Sequence, residues 1–192
     1  YGLSYEAIDK LSMMGVKLII TVDNGISAVG EAKYINELEM ELIVTDHHLP
    51  SDTLPQAVAV IDPHREDCNL EFKDYAGVGV AYKLICALEG EENGVTDSFA
   101  DLVTIGTVAD VMPLIKENRE LVRRGVQLIA DSDRMGIQSL IEAAGLLERR
   151  MTSTTVAFGI CPRINAAGRM GSADRAIRLL LSEDYEEANA LA

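Results

Sequence analysis

The sequence predicts an α/β fold: a parallel sheet of at least three strands flanked by helices, followed by a mainly helical second half. Three short apolar runs, residues 17–22, 41–45 and 57–61, are rich in β-branched side chains and predict the strands. A helical pattern over residues 28–39 separates the first two runs, which is the order of a βαβ unit. We therefore predict an α/β part over residues 1–90 and a helical part over residues 91–192.

The helices are predicted from apolar periodicity and from residues that start or stop helices. Ser4 is the N-cap candidate for a helix over residues 4–14, and Gly15 would end it. Ser27 is the N-cap candidate for the helix after the first strand, and an apolar helix is predicted from residue 76 to Leu88. The remaining helices are predicted over residues 97–108, 118–130, 136–144, 152–159, 173–181 and 185–191.

The composition is that of a globular protein in a reducing compartment. Of the 192 residues, 48% are hydrophobic, which is too many for a disordered chain. The apolar runs are too short to span a bilayer. Cys68, Cys86 and Cys161 are odd in number and far apart, which argues against a disulfide framework or a zinc knuckle and predicts a cytoplasmic protein.

The net charge of −14 at pH 7 weighs against unspecific binding to nucleic acid, which needs cationic side chains beside the phosphates. Divalent cations held by carboxylates would reverse that charge locally. A basic surface on other parts of a longer protein would have the same effect.

Acidic residues follow all three predicted strands. Asp23 comes after the first, Asp46-His47-His48 after the second, and Asp62-Pro63-His64 after the third. One such Asp is ordinary turn chemistry, but parallel strands end at one edge of a sheet, where open α/β folds place their active sites. We expect these side chains to lie close together.

Asp23, His47 and Asp110, with Asp46 and His48 beside them, form a candidate metal site. Carboxylates mixed with imidazole suit Mn²⁺ or Mg²⁺ better than structural zinc, and the imidazoles favour Mn²⁺. Asp110 ends a predicted helix between the apolar residues Val108 and Val111, which favours a buried ligand over a plain cap. The alternative for His47 and His48 is a pair of turn histidines with no ligand.

Two glycine-containing segments could approach an anion. Residues 162–171 combine Arg163, Asn165 and Arg169 with small residues, which suits phosphate, although a surface loop is the alternative. For Gly77 and Gly79, close backbone packing is favoured over anion binding.

Four blocks of this sequence, in this order, resemble the DHH phosphoesterase superfamily and, within it, the RecJ family of single-stranded-DNA-specific 5′→3′ exonucleases. The similarity runs over nearly the whole chain. The blocks are Val22-Asp23-Asn24-Gly25-Ile26, Thr45-Asp46-His47-His48, Gly106-Thr107-Val108-Ala109-Asp110 and Arg163-Ile164-Asn165-Ala166-Ala167-Gly168-Arg169-Met170-Gly171.

The resemblance implies metal-dependent hydrolysis of phosphodiester bonds by a two-metal core, in DNA repair and recombination. Asp23 would bridge the ions, with His47 on one and Asp110 on the other. Asp46 would orient the imidazoles, and His48 would contact the scissile phosphate or protonate the leaving oxygen. The residues expected on the substrate phosphates are Arg163, Asn165 and Arg169, the last of them on the 5′-terminal phosphate.

The sequence also departs from the family's pattern. The Asp-rich first motif, the C-terminal substrate-binding domain and the OB-fold are not found in it, so we expect a central fragment with weak metal binding and little activity alone. The expected partners are single-stranded DNA, a single-strand-binding protein and a helicase, and no membrane.

Two other functions remain open. One is a phosphodiesterase or phosphatase of the same superfamily acting on nanoRNA, cyclic dinucleotides or pyrophosphate. The other is a catalytically dead DHH-like scaffold, against which stands the presence of Asp23, His47 and Asp110.

Overall fold

The computed structural model describes residues 2–90, 97–169 and 173–192, without the side chains of residues 167–169. The chain divides into two compact units, Tyr1–Glu91 and Glu92–Ala192. The first unit contains strands β1 (Leu18–Val22), β2 (Glu41–Thr45) and β3 (Ala59–Ile61) and helices α1 (Tyr5–Met13), α2 (Val29–Glu37) and α3 (Gly77–Glu89). The second unit contains helices α4 (Ala100–Ala109), α5 (Lys116–Ala130), α6 (Met135–Ala143), α7 (Cys161–Arg169), α8 (Ala173–Leu181) and α9 (Tyr185–Leu191).

The three strands form a parallel sheet in the order β1-β2-β3. Val22 lies opposite Thr45, and Thr45 lies opposite Ile61, so the three strands end level with one another. The predicted fold class is therefore confirmed, and all three strands deliver the residues that follow them to one edge.

One face of the sheet is buried by α1 and α2. Ile19, Leu42 and Val44 on the strands pack with Ile8 on α1 and Ile35 on α2. The start of α1 is fixed by Ser4, whose Oγ accepts a hydrogen bond of 3.3 Å from the Ala7 backbone N–H, as the sequence predicts.

The prediction of Ser27 as an N-cap is wrong. The turn after Gly25 takes up one more residue than expected, because the Ala28 N–H donates to the Gly25 carbonyl at 3.0 Å. Ala28 is therefore the N-cap of α2, with no side-chain hydrogen bond, and the helix begins at Val29.

The second unit contains one helical run with a wide turn inside it. A turn of α-helix, Ser153–Thr155, continues into a π-helical turn, Val156–Ile160, and then into α7. Pro162 has no N–H to donate to the preceding turn, and the wider turn accommodates it, with the Cys161 N–H donating to Val156. The described part of residues 162–171 is thus helical rather than a loop; residues 170–171 lie outside the described residues.

Within the described ranges, no helix combines the length and the hydropathy needed to cross a bilayer. Cys68, Cys86 and Cys161 are free thiols. Burial raises the pKa of the Cys161 thiol to about 11, so it stays protonated and unreactive at neutral pH.

Candidate metal centre

Three acids lie at the carboxyl edge of the sheet, where backbone pairing continues one residue beyond β1 and β2. The Asp23 N–H donates to the Thr45 carbonyl at 3.0 Å, and the Asp46 N–H donates to the Ile61 carbonyl at 3.1 Å. Asp62 follows Ile61 directly. The edge predicted from the sequence therefore holds Asp23, Asp46 and Asp62.

Asp23, His47 and His48 form a cluster of possible metal donors. His47 Nε2 lies 3.0 Å from Asp23 Oδ1, and one donor atom from each of the three residues lies within 4.8 Å of the others. The His47 side chain is 10% exposed, whereas that of Asp23 is 60% exposed, so the cluster opens to solvent on the Asp23 side. One carboxylate and two imidazoles suit a transition-metal ion such as Mn²⁺.

Asp46 lies beneath this cluster and holds both histidines. Its Oδ1 accepts from the backbone N–H groups of His47 at 2.8 Å and His48 at 3.3 Å, and lies 2.7 Å from His48 Nδ1. Its Oδ2 accepts from the Ile26 N–H at 3.0 Å. Asp46 is buried, and these contacts fix the backbone that presents the two imidazoles.

The pKa of Asp46 results from two opposing effects. Burial disfavours the carboxylate, but the hydrogen bonds from Ile26, His48 and His47 together outweigh it and lower the pKa below its ordinary value. Asp46 is therefore a fixed negative charge beside the histidines at neutral pH.

Asp23 adopts a backbone conformation that few non-glycine residues take. Its φ is +63°, and the Asn24 side chain closes the turn by donating to the Val22 carbonyl at 2.9 Å. Gly25 follows with φ +111°. A strained residue at the end of a strand is common in sites where a side chain is held for function.

Asp62 and His64 are not among the predicted metal ligands, but they lie at the same edge as Asp23 and His47. Asp62 Oδ1 accepts from the His64 N–H at 2.7 Å, and burial raises the pKa of the Asp62 carboxyl. Asp62 Oδ2 and His64 Nδ1 are buried without a hydrogen-bond partner among the described residues. The signal in the sequence was the third strand-end Asp.

Asp110 is the C-cap of α4 in the second unit, where its N–H donates to the Gly106 carbonyl at 2.9 Å. The expected apolar burial is wrong: Asp110 is exposed, and Val111 is 86% exposed with φ +56°. The helix ends here, and the chain turns outward instead of folding its apolar side chains over the acid. The role of Asp110 as a metal ligand stays a prediction.

The predicted phosphate-binding residues lie on α7 in the second unit. Arg163 is exposed, and its guanidinium donates to the carbonyls of Gly159 at 2.7 Å and Ala143 at 3.4 Å. It therefore ties α7 to the end of α6 in this structure. Asn165 is exposed, and the side chain of Arg169 lies outside the described part of the chain.

Comparison with known proteins gives the same family from sequence and from structure. Residues 4–107 match the family model "DHH family, N-terminal domain". The whole chain is 44% identical to the single-stranded-DNA-specific exonuclease RecJ of Bacillus subtilis and covers 24% of that protein. It is 42% identical to the RecJ of Escherichia coli and covers 36% of it. The chain thus spans about a quarter to a third of the length of these curated relatives.

Solved structures of RecJ exonucleases also superpose closely on the chain. A crystal structure of exonuclease RecJ bound to manganese matches the whole chain with a TM-score of 0.89 at 41% identity, over 48% of its own length. The Mn²⁺ complex of RecJ from Thermus thermophilus matches 97% of the chain with a TM-score of 0.86 at 40% identity, over 28% of its length. With the strand-end acids, the Asp46-His47-His48 block and the family model all in agreement, the chain belongs to the DHH family.

Proposed function

We propose that this chain is part of a metal-dependent nuclease that removes nucleotides from the 5′ end of single-stranded DNA, in repair and recombination. The cluster of Asp23, His47 and His48 at the sheet edge carries the proposal, because it is a metal-donor set at the position where α/β enzymes bind their ligands. The names of relatives that are 42–44% identical over the whole chain support the substrate and the reaction.

Asp23 and His47 would hold Mn²⁺ or Mg²⁺, and Asp110 would hold a second ion. Asp23 and His47 fit such an ion by their donor atoms: Oδ1 of the exposed Asp23 lies 3.0 Å from Nε2 of His47, whose side chain is shielded from solvent. Relatives that carry Mn²⁺ or Mg²⁺ in their crystal structures support these metals. When bound, the ions supply positive charge beside the phosphate and lower the pKa of water.

The side chains proposed to act with the metal have separate tasks. Asp46 holds the His47 backbone and the His48 ring, so the two imidazoles keep a fixed relation to Asp23. His48 is more exposed than His47 and would contact the scissile phosphate or give a proton to the leaving oxygen. Arg163, Asn165 and Arg169 would bind the substrate phosphates; Arg163 would exchange its carbonyl contacts for phosphate oxygens.

Single-stranded DNA is the proposed substrate, and a single-strand-binding protein and a helicase are the proposed partners. The cytoplasm is the proposed compartment, which the three free thiols support.

Metal binding is the first test. Calorimetric titration of the chain with Mn²⁺ should give binding that His47→Ala weakens by more than the roughly 10–100-fold expected for loss of an outer-shell partner. Asp52→Ala, which removes an exposed carboxylate outside the cluster, should leave the affinity unchanged. Equal affinities for all three proteins would remove the basis of the proposal.

Catalysis is tested in a chimeric protein, because the relatives are longer than this chain. The chain replaces the matching segment of Bacillus subtilis RecJ, and digestion of 5′-phosphorylated single-stranded DNA is measured with Mn²⁺. Activity that survives Asp52→Ala and is lost with His47→Ala is expected. Hydrolysis of dinucleotides or pyrophosphate with single-stranded DNA left intact would favour another DHH activity instead.

A further inference from the structure

Gly77, the first residue of α3, lies directly against Asp23. A methyl group at position 77 would lie 2.4 Å from Asp23 Cβ and 2.4 Å from Asp23 Oδ1. Both distances are far inside van der Waals contact. The Asp23 carboxylate can therefore occupy its present position only because residue 77 has no side chain. The φ of Gly77 is not positive, and the requirement for glycine comes from this contact alone.

Neither partner in this contact can move away easily. The Asp23 backbone is fixed by its hydrogen bond to the Thr45 carbonyl and by the Asn24 side chain that closes the turn. Gly77 is buried at the start of a helix of 13 residues that packs on β1 and β2. Because one of the clashing atoms is Asp23 Cβ, which the backbone places, a side chain at position 77 would force the turn at Asp23 or the start of α3 to shift, and the Asp23 carboxylate would move relative to its present position.

Any displacement of the Asp23 carboxylate would affect the candidate metal site, because Asp23 Oδ1 is also the atom that lies 3.0 Å from His47 Nε2. The same oxygen thus meets Gly77 on one side and the imidazole on the other. In addition, α3 has no side-chain cap and no acidic residue in its first turn. The Asp23 carboxylate accordingly supplies the negative charge that the positive end of a helix favours.

We propose that Gly77 is a positioning residue, whose missing side chain sets the Asp23 carboxylate at metal-binding distance from His47. The part of this inference that concerns metal rests on the proposed function, whereas the contact between Gly77 and Asp23 does not. A larger residue at 77 would reduce metal affinity without touching the metal itself.

The experiment compares Gly77→Ala with Gly79→Ala, alone and, for position 77, combined with Asp23→Gly. Gly79→Ala adds the same methyl group two residues further along α3, where its nearest neighbours are atoms of Tyr75 at 3.3–3.8 Å. Asp23→Gly removes all three side-chain atoms that the new methyl group would meet, Cβ, Cγ and Oδ1, and suits the positive φ of that position. Tm without metal and Mn²⁺ affinity by calorimetry are measured for each protein.

Gly77→Ala should lower the Tm of the metal-free chain by roughly 2–12 °C, as overpacking does in a protein of this size. In the Asp23→Gly background, Gly77→Ala should lower the Tm by less than half as much. Mn²⁺ affinity should fall at least about tenfold for Gly77→Ala, comparable to the loss of an outer-shell partner, and stay unchanged for Gly79→Ala.

An equal loss of Tm in both backgrounds would overturn the inference, and so would unchanged Mn²⁺ affinity in a folded Gly77→Ala protein. If Gly77→Ala does not fold, recovery of folding in the double variant supports the inference, and failure of both overturns it. A wild-type chain that binds no Mn²⁺ contradicts the proposed function, while the comparison of Tm values still decides whether Gly77 acts through Asp23.

Discussion

Asp46 shows how much of the site depends on one side chain. Its two oxygens reach backward to Ile26 and forward to His47 and His48, so a single carboxylate connects the turn after β1 with the histidines after β2. Asp62, at the neighbouring strand end, has one oxygen without a partner among the described residues. Two acids at one edge are thus held in opposite electrostatic environments.

We predict opposite pH dependence for Asp46→Asn and Asp62→Asn in the metal-free chain. The pKa of Asp46 lies below its ordinary 3.8, so its carboxylate stabilises the fold above that pH, and this contribution is lost as the pH falls through the folded-state value. Asp46→Asn should therefore lower Tm by a few degrees at neutral pH and by less in acid. Differential scanning calorimetry in EDTA from acid to neutral pH measures this.

The pH dependence of stability at Asp62 has the opposite sign to that at Asp46. Burial raises its pKa above 3.8, so ionisation costs stability as the pH rises through the folded-state value, and Asn at this position avoids that cost. The loss of Tm for Asp62→Asn should shrink from acid toward neutral pH. Parallel pH profiles for the two variants would contradict both assignments.

Single residues also mark the limit of prediction from the sequence. Three strand-end acids followed from pattern alone, because parallel strands end together. The importance of Gly77 did not, because it depends on contact with a residue 54 positions earlier, and a glycine in a helix start is ordinary in a sequence. The sequence neighbours of Asp110 predict an apolar environment for it, whereas Asp110 is exposed and the chain turns Val111 outward.

At the scale of elements, helices and strands were predictable where the period of apolar residues is clear. Strand β2 and helices α8 and α9 begin and end where the sequence indicates. The π-helical turn before Pro162 was not predicted, because proline normally indicates a helix end, and only the wider turn lets the helix continue. The N-cap of α2 was also mispredicted, because Ala28 makes no side-chain hydrogen bond and so has no signature in the sequence.

The contact between α4 and α5 gives a prediction at this scale. Gly125 on α5 lies so close to α4 that a methyl group there would stand 2.0 Å from Thr104 Oγ1 and 2.1 Å from the Ala100 carbonyl oxygen. Gly125→Ala should destabilise the second unit by about 1–3 kcal/mol or more, despite the better helix propensity of alanine. Urea unfolding followed by circular dichroism measures the change.

Gly145→Ala is the matched comparison for Gly125→Ala. Gly145 has open space around its Cβ position but a φ of +65°, so alanine there meets backbone strain instead of a clash. A loss of roughly 1–2 kcal/mol is expected. A Gly125→Ala protein as stable as the wild type would mean that α4 and α5 pack less closely than described.

At the scale of the whole molecule, the net charge of −14 opposes the proposed substrate. Part of that charge lies at the sheet edge, where Asp23 and the ionised Asp46 stand beside imidazoles that can bind metal. Cation binding there would change the local sign of the potential where a phosphate must approach. Metal and nucleic acid should therefore bind this chain cooperatively.

We predict that the chain binds 5′-phosphorylated single-stranded DNA more tightly with Mn²⁺ than with EDTA at equal ionic strength. The expected increase in DNA affinity comes from Mn²⁺ bound at the Asp23–His47 site. His47→Ala should therefore abolish that increase while leaving the weak binding in EDTA unchanged. Fluorescence anisotropy with a phosphorothioate oligonucleotide measures this without cleavage, and NaCl matched in ionic strength controls for screening. An equal gain for the wild type and His47→Ala would mean that Mn²⁺ acts through general neutralisation of the acidic surface rather than through the Asp23–His47 site.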